Sequence, residues 1–321
     1  MDEIDAADRN VREGLFGLNS AILVAILIYV TVVATAYVRF GTLPQISLGA
    51  VAILALPFIG LATRSKEFVK NSMLIIAVLL TYESLQGITG SMVHSGSVVS
   101  LAGVDQALVG ANFTADVQAS FASSATTFVS TVFYGLHAFL IMIAFVLFWF
   151  KNRAVFRGYT YSLVVTSYLA LLTFVVLPSA PPWSTGTAHN LLTTGVRMFP
   201  PVFQEVQAVL LSGESDLVAA FPSLHAAYAT LFSIFMFKLG RKYGFASLFI
   251  AGGVYFSIIY LGQHFLVDLL GGIVYAGVSV YAVEWVMARR QRPRFQSSAA
   301  IDAIVGVRLL TPAGPPPDRQ V

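Results

Sequence analysis

The sequence predicts an all-α fold, a polytopic integral membrane bundle of about eight transmembrane helices with six as the lower bound. Composition is the first reason, because 57% of the 321 residues are hydrophobic and only 11% are charged, against about 25% charged in soluble domains. The second reason is the distribution of the apolar residues, which lie in segments of roughly 20 residues, the length that a spanning helix needs. The third is that two short histidine motifs each open one of these segments.

Eight segments have the required length and apolar character. They are 15–38, 45–63, 71–91, 127–150, 159–178, 222–239, 243–262 and 265–288. The third is the least regular, because Glu83, Gln86 and several glycines interrupt it. The first is too long for the core of a signal peptide, so we expect a retained membrane helix.

The loops and chain ends suggest a division into five parts. These are a cytoplasmic N-terminus (1–14), N-terminal membrane helices (15–91), an outer loop (92–126), a catalytic membrane core (127–288) and a disordered, proline-containing cytoplasmic tail (289–321). No internal repeat is evident, which disfavours an inverted-repeat transporter.

The lysines and arginines predict the orientation, because positive charge concentrates on the cytoplasmic side of a membrane. In an eight-span arrangement 17 of the 19 basic residues share one side, and only Arg39 and Arg197 lie opposite. Both termini are then cytoplasmic. All histidines fall in outer loops or in helices that begin at the outer face: His94, His137, His189, His225 and His264. The chemistry is therefore expected to face away from the cytoplasm.

The second histidine motif, Tyr-Leu-Gly-Gln-His-Phe-Leu-Val-Asp at 260–268, pairs a histidine with a carboxylate. On a helix that starts near His264, Asp268 lies one turn deeper on the same face. A buried carboxylate that accepts one ring N–H fixes the tautomer, leaves the other nitrogen as a nucleophile and stabilises the cation that forms. We therefore expect His264 to be the nucleophile and Asp268 its partner.

The first motif, Phe-Pro-Ser-Leu-His at 221–225, places a proline and a serine at a helix start. Pro222 is tolerated in the first turn because its missing N–H has no helical partner there. Ser223 and the free N–H groups of that turn form an anion site, aided by the helix dipole. His225 is near enough to protonate a leaving oxygen. Together the two motifs suit phosphoryl transfer.

Other interpretations of these residues exist. A single membrane histidine is also typical of helix packing, although intramembrane ionisable groups are functional-site candidates by default. Zinc is the chemical alternative, since two histidines and a carboxylate can form an open site, but the chain has no His-Glu-x-x-His pattern. It also has no cysteine, which excludes disulfides and thiolate ligands. We predict no metal, no cofactor and no nucleic-acid partner.

The two motifs resemble signatures of the type-2 phosphatidic acid phosphatase superfamily of membrane phosphatases and phosphotransferases. Pro222, Ser223 and His225 match its Pro-Ser-x-His signature. Its signature Ser-Arg-(x5)-His-(x3)-Asp is matched at Ser257, His264 and Asp268, with Ile258 in place of the arginine. The resemblance implies His264 as nucleophile, Asp268 as its partner and His225 as general acid, without metal.

A first family signature, Lys-(x6)-Arg-Pro, is missing from the chain, so two phosphate-binding cations of the family are absent. The pattern is nevertheless similar to one branch, the inositol phosphorylceramide synthases. Shared features are Ala-Pro-Pro-Trp at 180–183, the Asp105 to Gly110 loop, and Tyr134 with His137 opening a span. This branch implies an inositolphosphotransferase and an inositol headgroup.

Candidate substrate-binding residues follow from these considerations. They are Ser223 at the anion site, Arg197 as a replacement phosphate cation, His137 and Tyr134 near the phosphate or headgroup, and Tyr260 before the nucleophile's loop. Arg197 is equally consistent with an interfacial anchor, and His137 with a structural residue.

The predicted function is transfer of a phosphoryl group or phosphorylated headgroup, from a lipid or isoprenoid phosphate donor, onto a lipid alcohol or water. The acceptor and the oligomeric state stay open. A transporter or flippase with polar residues along a pathway is the main alternative, and an inactive scaffold is the third. The expected location is a prokaryotic plasma membrane, with the site on the extracytoplasmic side.

Overall fold

The computed structural model describes residues 2–40, 48–92, 98–110, 112–203 and 217–291. These residues form helices joined by short turns, with a single pair of two-residue strands among them. In chain order the elements are α1 (Asp2–Phe40), α2 (Leu48–Ile53), α3 (Leu56–Ala62), α4 (Lys66–Met92), β1 (Val99–Ser100), α5 (Ala102–Val109), α6 (Phe113–Phe121), α7 (Ser124–Lys151), α8 (Arg153–Val176), β2 (Ser179–Ala180), α9 (Leu191–Val196), α10 (Leu224–Leu239), α11 (Arg241–Tyr260) and α12 (Leu266–Gln291).

The described helices include six that are long and apolar enough to cross a membrane. They are Ser20–Arg39, Lys66–Gln86, Ser124–Lys151, Arg153–Val176, Arg241–Tyr260 and Leu266–Arg289. Two shorter apolar helices, Val51–Ala62 and Leu224–Leu239, account for the remaining predicted segments. The prediction of an all-α polytopic membrane bundle with six to eight spans is confirmed, and the protein is an integral membrane protein.

The segment predicted as one helix over 45–63 is divided in its described part. α2 ends at Ile53, and α3 begins at Leu56 with Pro57 in its first turn. Proline has no N–H to bond the preceding turn and its ring clashes with that turn's carbonyl, so the helix breaks there.

Helix α7 is at the centre of the bundle, because α2, α8, α9, α10 and α11 all contact it. Its C-terminal half carries Phe145, Phe148 and Trp149, which are buried among aromatic side chains of α8 and α10. Asn152 ends α7 and begins α8, where its Oδ1 accepts hydrogen bonds from the backbone N–H groups of two first-turn residues. This buried aromatic core supports the residues of the site described below.

The predicted outer loop contains β1, α5 and α6, and the second long connection contains β2 and α9. We call residues 99–121 and 179–196 the cap segments. β1 and β2 pair in parallel, with Val99 opposite Ser179. Ser179 also holds the start of the first motif: its N–H donates to the Val218 carbonyl oxygen at 2.9 Å, and its Oγ accepts the Phe221 N–H at 2.7 Å.

The chain divides into two compact units, of which the first runs from Met1 to Val283 and contains all the features discussed below. The second, Glu284–Val321, is described only along the end of α12. The predicted tail beyond Gln291 and the histidine at position 94 lie outside the described residues.

Candidate active site

Each motif begins a helix, as the sequence predicts, but the second does so two residues later than expected. Ser223 is the N-cap of α10, and its Oγ accepts the Ala226 N–H at 3.3 Å. α12 begins at Leu266. His264 therefore lies in the connecting loop, where Gly262 has a φ of 77°, while Asp268 lies in the first turn of the helix.

His264 and Asp268 face each other across this junction. The distance from His264 Nδ1 to Asp268 Oδ2 is 3.6 Å, and the Asp268 side chain is 0% exposed. The same Oδ2 accepts the backbone N–H of Phe265 at 2.8 Å. A slightly long contact between catalytic groups is common before substrate binds and shortens in the reactive complex.

The other nitrogen of His264 faces the second histidine. His264 Nε2 lies 3.3 Å from Nδ1 of His225, so that Asp268, His264 and His225 form a continuous row. Within the described residues, His225 Nε2, His264 Nδ1 and Asp268 Oδ1 have no partner at hydrogen-bond distance. The row thus ends, at its His225 end, in a buried ring nitrogen without a partner among the described residues.

The two motifs are joined directly through the backbone. The N–H of Ser223 donates to the carbonyl oxygen of Asp268 at 3.0 Å. One turn further along α12, a Cβ at Gly272 would overlap the Ser223 carbonyl oxygen. The glycine therefore allows α12 to approach the start of α10 closely, which holds His225 and Asp268 at a fixed separation.

The first turn of α10 has unpaired N–H groups. Those of Leu224 and His225 donate to no group in the described part of the chain, and α10 is 16 residues long. Free N–H groups and the positive end of the helix dipole favour an anion at this position. The anion would lie beside the row of histidines.

Helix α7 brings two further predicted residues to the site. The ring centroids of His137 and Tyr134 lie 3.8 Å and 4.6 Å from that of His225. His137 Nδ1 lies 2.7 Å from the Tyr134 carbonyl oxygen. Because a carbonyl oxygen only accepts, Nδ1 carries a hydrogen and Nε2 is left for another partner.

Two predicted substrate-binding residues lie elsewhere. Tyr260 is 1% exposed, and its hydroxyl lies 3.0 Å from Thr127 Oγ1. Arg197 is exposed directly after α9, a helix whose Gly195 lies against Thr131 of α7. Their proposed contact with substrate stays a prediction.

The cap segments hold the loop that connects α11 to α12, and the start of α12, through residues that the sequence did not single out as site residues. Gln118 donates to the carbonyls of His189 and Tyr260 at 2.7 and 2.9 Å. Asp105 accepts two N–H groups from the first turn of α12. Sequence patterns could not reveal these contacts, because the partners are 71 to 162 residues apart.

The site lies well inside the bundle. α10 ends at Leu239, which is 14 residues beyond His225. α7 ends at Lys151, which is 14 residues beyond His137. At a rise of 1.5 Å per residue this places the histidines about 21 Å from that end of the bundle.

Comparison with known proteins supports a phosphate-processing family. Residues 99–282 match the PAP2 superfamily. An inositol phosphorylceramide synthase of Candida albicans is 26% identical over 151 residues, covering 43% of this chain and 32% of the relative. An inositol phosphorylceramide synthase catalytic subunit of Schizosaccharomyces pombe is 26% identical over 144 residues, or 42% and 34%. The chain therefore spans about a third of each relative. No solved structure matches the chain.

The matched region covers more than half of the chain and contains both motifs, the histidine pair and Asp268. It begins at β1 and ends within α12, so it includes the cap segments as well as the central helices. The resemblance predicted from the motifs is confirmed, and the chain belongs to the PAP2 superfamily.

Proposed function

We propose that the protein is a membrane lipid phosphotransferase or phosphatase in which His264 is the nucleophile. It moves a phosphoryl group or phosphorylated headgroup from a lipid donor to a lipid alcohol or to water. The observation that carries this proposal is the row formed by Asp268, His264 and His225, with separations of 3.6 and 3.3 Å, beside free N–H groups at a helix N-terminus.

The first step follows from the positions of the protons. When Asp268 accepts the Nδ1 hydrogen of His264, the lone pair of His264 is on Nε2, which points at His225. Before substrate binds, His225 Nδ1–H donates to this lone pair. A substrate phosphate must therefore displace His225 from His264 Nε2 before the attack. The Nε2–phosphorus bond then forms while the bond from phosphorus to the leaving oxygen breaks.

His225 and the start of α10 support this step. The departing alkoxide takes a proton from the imidazolium form of His225, which leaves a neutral imidazole, and Asp268 stabilises the cationic ring of His264. The N–H groups of Leu224 and His225 bind phosphate oxygens, and His137 supplies a further donor when it is protonated. Positioned donors of this kind provide most of the stabilisation in phosphoryl transfer.

The second step resolves the phosphohistidine. His225, which has lost its proton, removes one from the acceptor hydroxyl, and the acceptor oxygen attacks phosphorus as the bond to His264 breaks. Water as acceptor gives a phosphatase, and a lipid alcohol gives a synthase. Both curated relatives are named inositol phosphorylceramide synthases, so we propose a phosphoinositol headgroup donor as the first substrate to test, with an isoprenoid phosphate as the second.

We also propose that both termini are cytoplasmic and that the site opens to the extracytoplasmic side. The distribution of lysine and arginine supports this orientation. Because the chain has no cysteine, single-cysteine variants can test it. A membrane-impermeant maleimide is expected to label D116C in α6 on intact cells, and K242C in α11 only after permeabilisation. The reverse labelling pattern would show that the topology is the opposite of the proposed one.

The predicted location in a prokaryotic plasma membrane stays a prediction, and both relatives are fungal.

The decisive experiment measures lipid products of the purified protein in defined vesicles that contain a phosphoinositol lipid, with and without a lipid alcohol, in the presence of EDTA. Wild type is compared with His264→Ala and with His189→Ala, whose side chain is exposed. We expect headgroup transfer or phosphate release in wild type and H189A, and none in H264A.

Two results would overturn the proposal. Activity that H264A retains would exclude His264 as nucleophile, and activity that EDTA abolishes would exclude a metal-free site. If wild type turns over neither the phosphoinositol lipid nor an isoprenoid phosphate, the proposed reaction is wrong. In that case a transport assay in the same vesicles tests the alternative function.

A further inference from the structure

The first turn of α12 is held by a carboxylate from a distant part of the chain. Asp105 lies in the first turn of α5 and is 2% exposed. Its Oδ2 accepts the Leu266 N–H at 3.0 Å, and its Oδ1 accepts the Val267 N–H at 2.8 Å. Both carboxylate oxygens are thus used on consecutive N–H groups of one helix start, next to His264.

This contact replaces a cap that the local sequence lacks. In a capping box the residue before the helix accepts N–H groups of the first turn, and the residue three positions later reaches back to the N–H of that capping residue. Here Asp268 reaches back to the Phe265 N–H at 2.8 Å. Phe265 has no side-chain acceptor to complete the box, and Asp105 supplies one from another segment.

Asp105 and Asp268 accept different N–H groups at the start of α12. This division determines where the Asp268 carboxylate points. Asp105 takes the Leu266 and Val267 N–H groups, while Asp268 Oδ2 takes only the Phe265 N–H and also faces His264 Nδ1 at 3.6 Å. Buried N–H groups without acceptors are costly. Without Asp105, the acceptor on the same turn is Asp268, which would turn toward those groups and away from His264.

We propose that Asp105 is a positioning residue that keeps the Asp268 carboxylate directed at His264 by taking the two competing N–H groups of α12. This inference rests on the proposed role of His264 as the nucleophile. Asp105 acts through Asp268, so it is distinct from the residues that contact substrate.

The other contacts of the cap segments with this loop act on different atoms. Thr114 Oγ1 lies 3.5 Å from the His264 carbonyl oxygen, and Gln118 bonds the Tyr260 carbonyl. Both hold the backbone of the loop before the helix. Asp105 instead accepts the N–H groups of the helix itself. Because its loss would free these groups to attract Asp268, we expect it to change the hydrogen bonding of His264 as well as the stability of the loop.

The test uses Asp105→Ala, Asp105→Asn and the control Asp116→Asn, which alters an exposed carboxylate of the neighbouring helix α6. Since small displacements of catalytic groups cost about 100-fold in rate, we expect D105A to lower kcat by about that factor, with KM within about threefold of wild type. D105N keeps one acceptor oxygen and is expected to lose less. D116N is expected to match wild type.

A second readout separates positioning from a general effect on folding. Nitrogen-15 NMR of protein labelled at histidine reports which ring nitrogen of His264 carries hydrogen, with H264A identifying the signal. We expect Nδ1–H in wild type and a mixture of tautomers in D105A. Thermal unfolding of each variant is measured in the same detergent, and D105N provides the comparison if D105A does not fold.

The outcomes distinguish the two proposals. A His264 tautomer or a kcat in D105A that equals wild type would overturn the positioning role even if H264A is inactive, and the same result in D105N would overturn it if D105A does not fold. Activity in H264A would overturn the proposed nucleophile, whatever the Asp105 variants do.

Discussion

The backbone N–H of Ser223 donates a hydrogen bond of 3.0 Å to the carbonyl oxygen of Asp268. These two residues lie 45 positions apart in the chain, in two motifs that each begin a different helix. The bond places the free N–H groups of α10 beside the Asp268 carboxylate, which faces His264, the proposed nucleophile. The geometry of the site therefore depends on how closely α10 and α12 approach.

Gly272 provides the first test of that approach. A Cβ at this position would overlap the Ser223 carbonyl oxygen, so Gly272→Ala is expected to separate the two helices and to lower kcat by about 100-fold, the usual cost of displacing catalytic groups by an ångström. Phospholipid turnover by the purified variant measures this effect.

Gly277 on the same helix is the matched control, because a Cβ there meets nothing within 4 Å. Gly277→Ala is expected to keep full activity and to gain up to about 1 kcal/mol in unfolding free energy from the reduced freedom of the unfolded chain. Equal losses of activity in both variants would contradict the close-approach explanation.

The role of His225 can be tested by changing the leaving group. A general acid matters for an alkoxide but little for a phenolate that leaves without a proton. His225→Ala is therefore expected to slow turnover of a phospholipid by about 100-fold or more and to slow turnover of an aryl phosphate much less. A similar loss on both substrates would show that His225 acts on binding or structure and not on the leaving oxygen.

His137 has a contact pattern that predicts a binding role. Its ring centroid lies 3.8 Å from that of His225, with the ring planes tilted by 41°, and its Nδ1 bonds the Tyr134 carbonyl. Only Nε2, when it is protonated, can therefore donate to a phosphate. A contact made equally in ground and transition states changes KM and leaves kcat unchanged. We expect His137→Gln to raise KM by about tenfold, a typical cost for one charge-assisted hydrogen bond, with kcat within about threefold.

Steady-state kinetics with the phosphoinositol lipid measures this split, and H189A serves as the control for the loss of a histidine. A drop in kcat at constant KM would instead assign His137 to the transition state or to the orientation of His225.

A variant at Tyr260 tests whether this residue has a structural role or binds substrate. Its buried hydroxyl lies 3.0 Å from Thr127 Oγ1, and loss of one such hydrogen bond costs about 1 kcal/mol of stability. Tyr260→Phe is expected to lower the unfolding midpoint while leaving KM unchanged, as measured by thermal unfolding and kinetics on the same preparation. An increase in KM without a change in stability would support the predicted contact with substrate.

Much of the fold could be predicted because membrane-spanning helices are encoded locally. A run of about 20 apolar residues identifies a span with no knowledge of its neighbours, and the described helices follow the predicted segments. The break near Pro57 was not predicted, and neither were α5 and α6. These two helices are short and form part of the cap segments, where length and hydropathy give no spanning signal.

The candidate site was predictable to the extent that its groups are close in sequence. The four-residue separation of His264 and Asp268 suggested their contact, although the loop before α12 achieves it in place of a continuous helix. The meeting of His225 and His264 was inferred from two motifs that each open a segment on one side of the membrane. The positions of Arg197 and Tyr260 could not be inferred, because they depend on how α9 and α11 contact α7.

The sequence alone therefore determined the membrane class, the helical fold, the family and the pairing of the motif residues, since apolar length and short spacing are properties of neighbouring positions. Only the tertiary structure decided that Asp105 caps a helix that begins 161 residues later, and that Ser223 bonds Asp268. Such contacts satisfy buried N–H groups with whichever acceptor the packing of distant segments brings near. No local pattern records that acceptor, because its identity is fixed only when the helices and the cap segments come together.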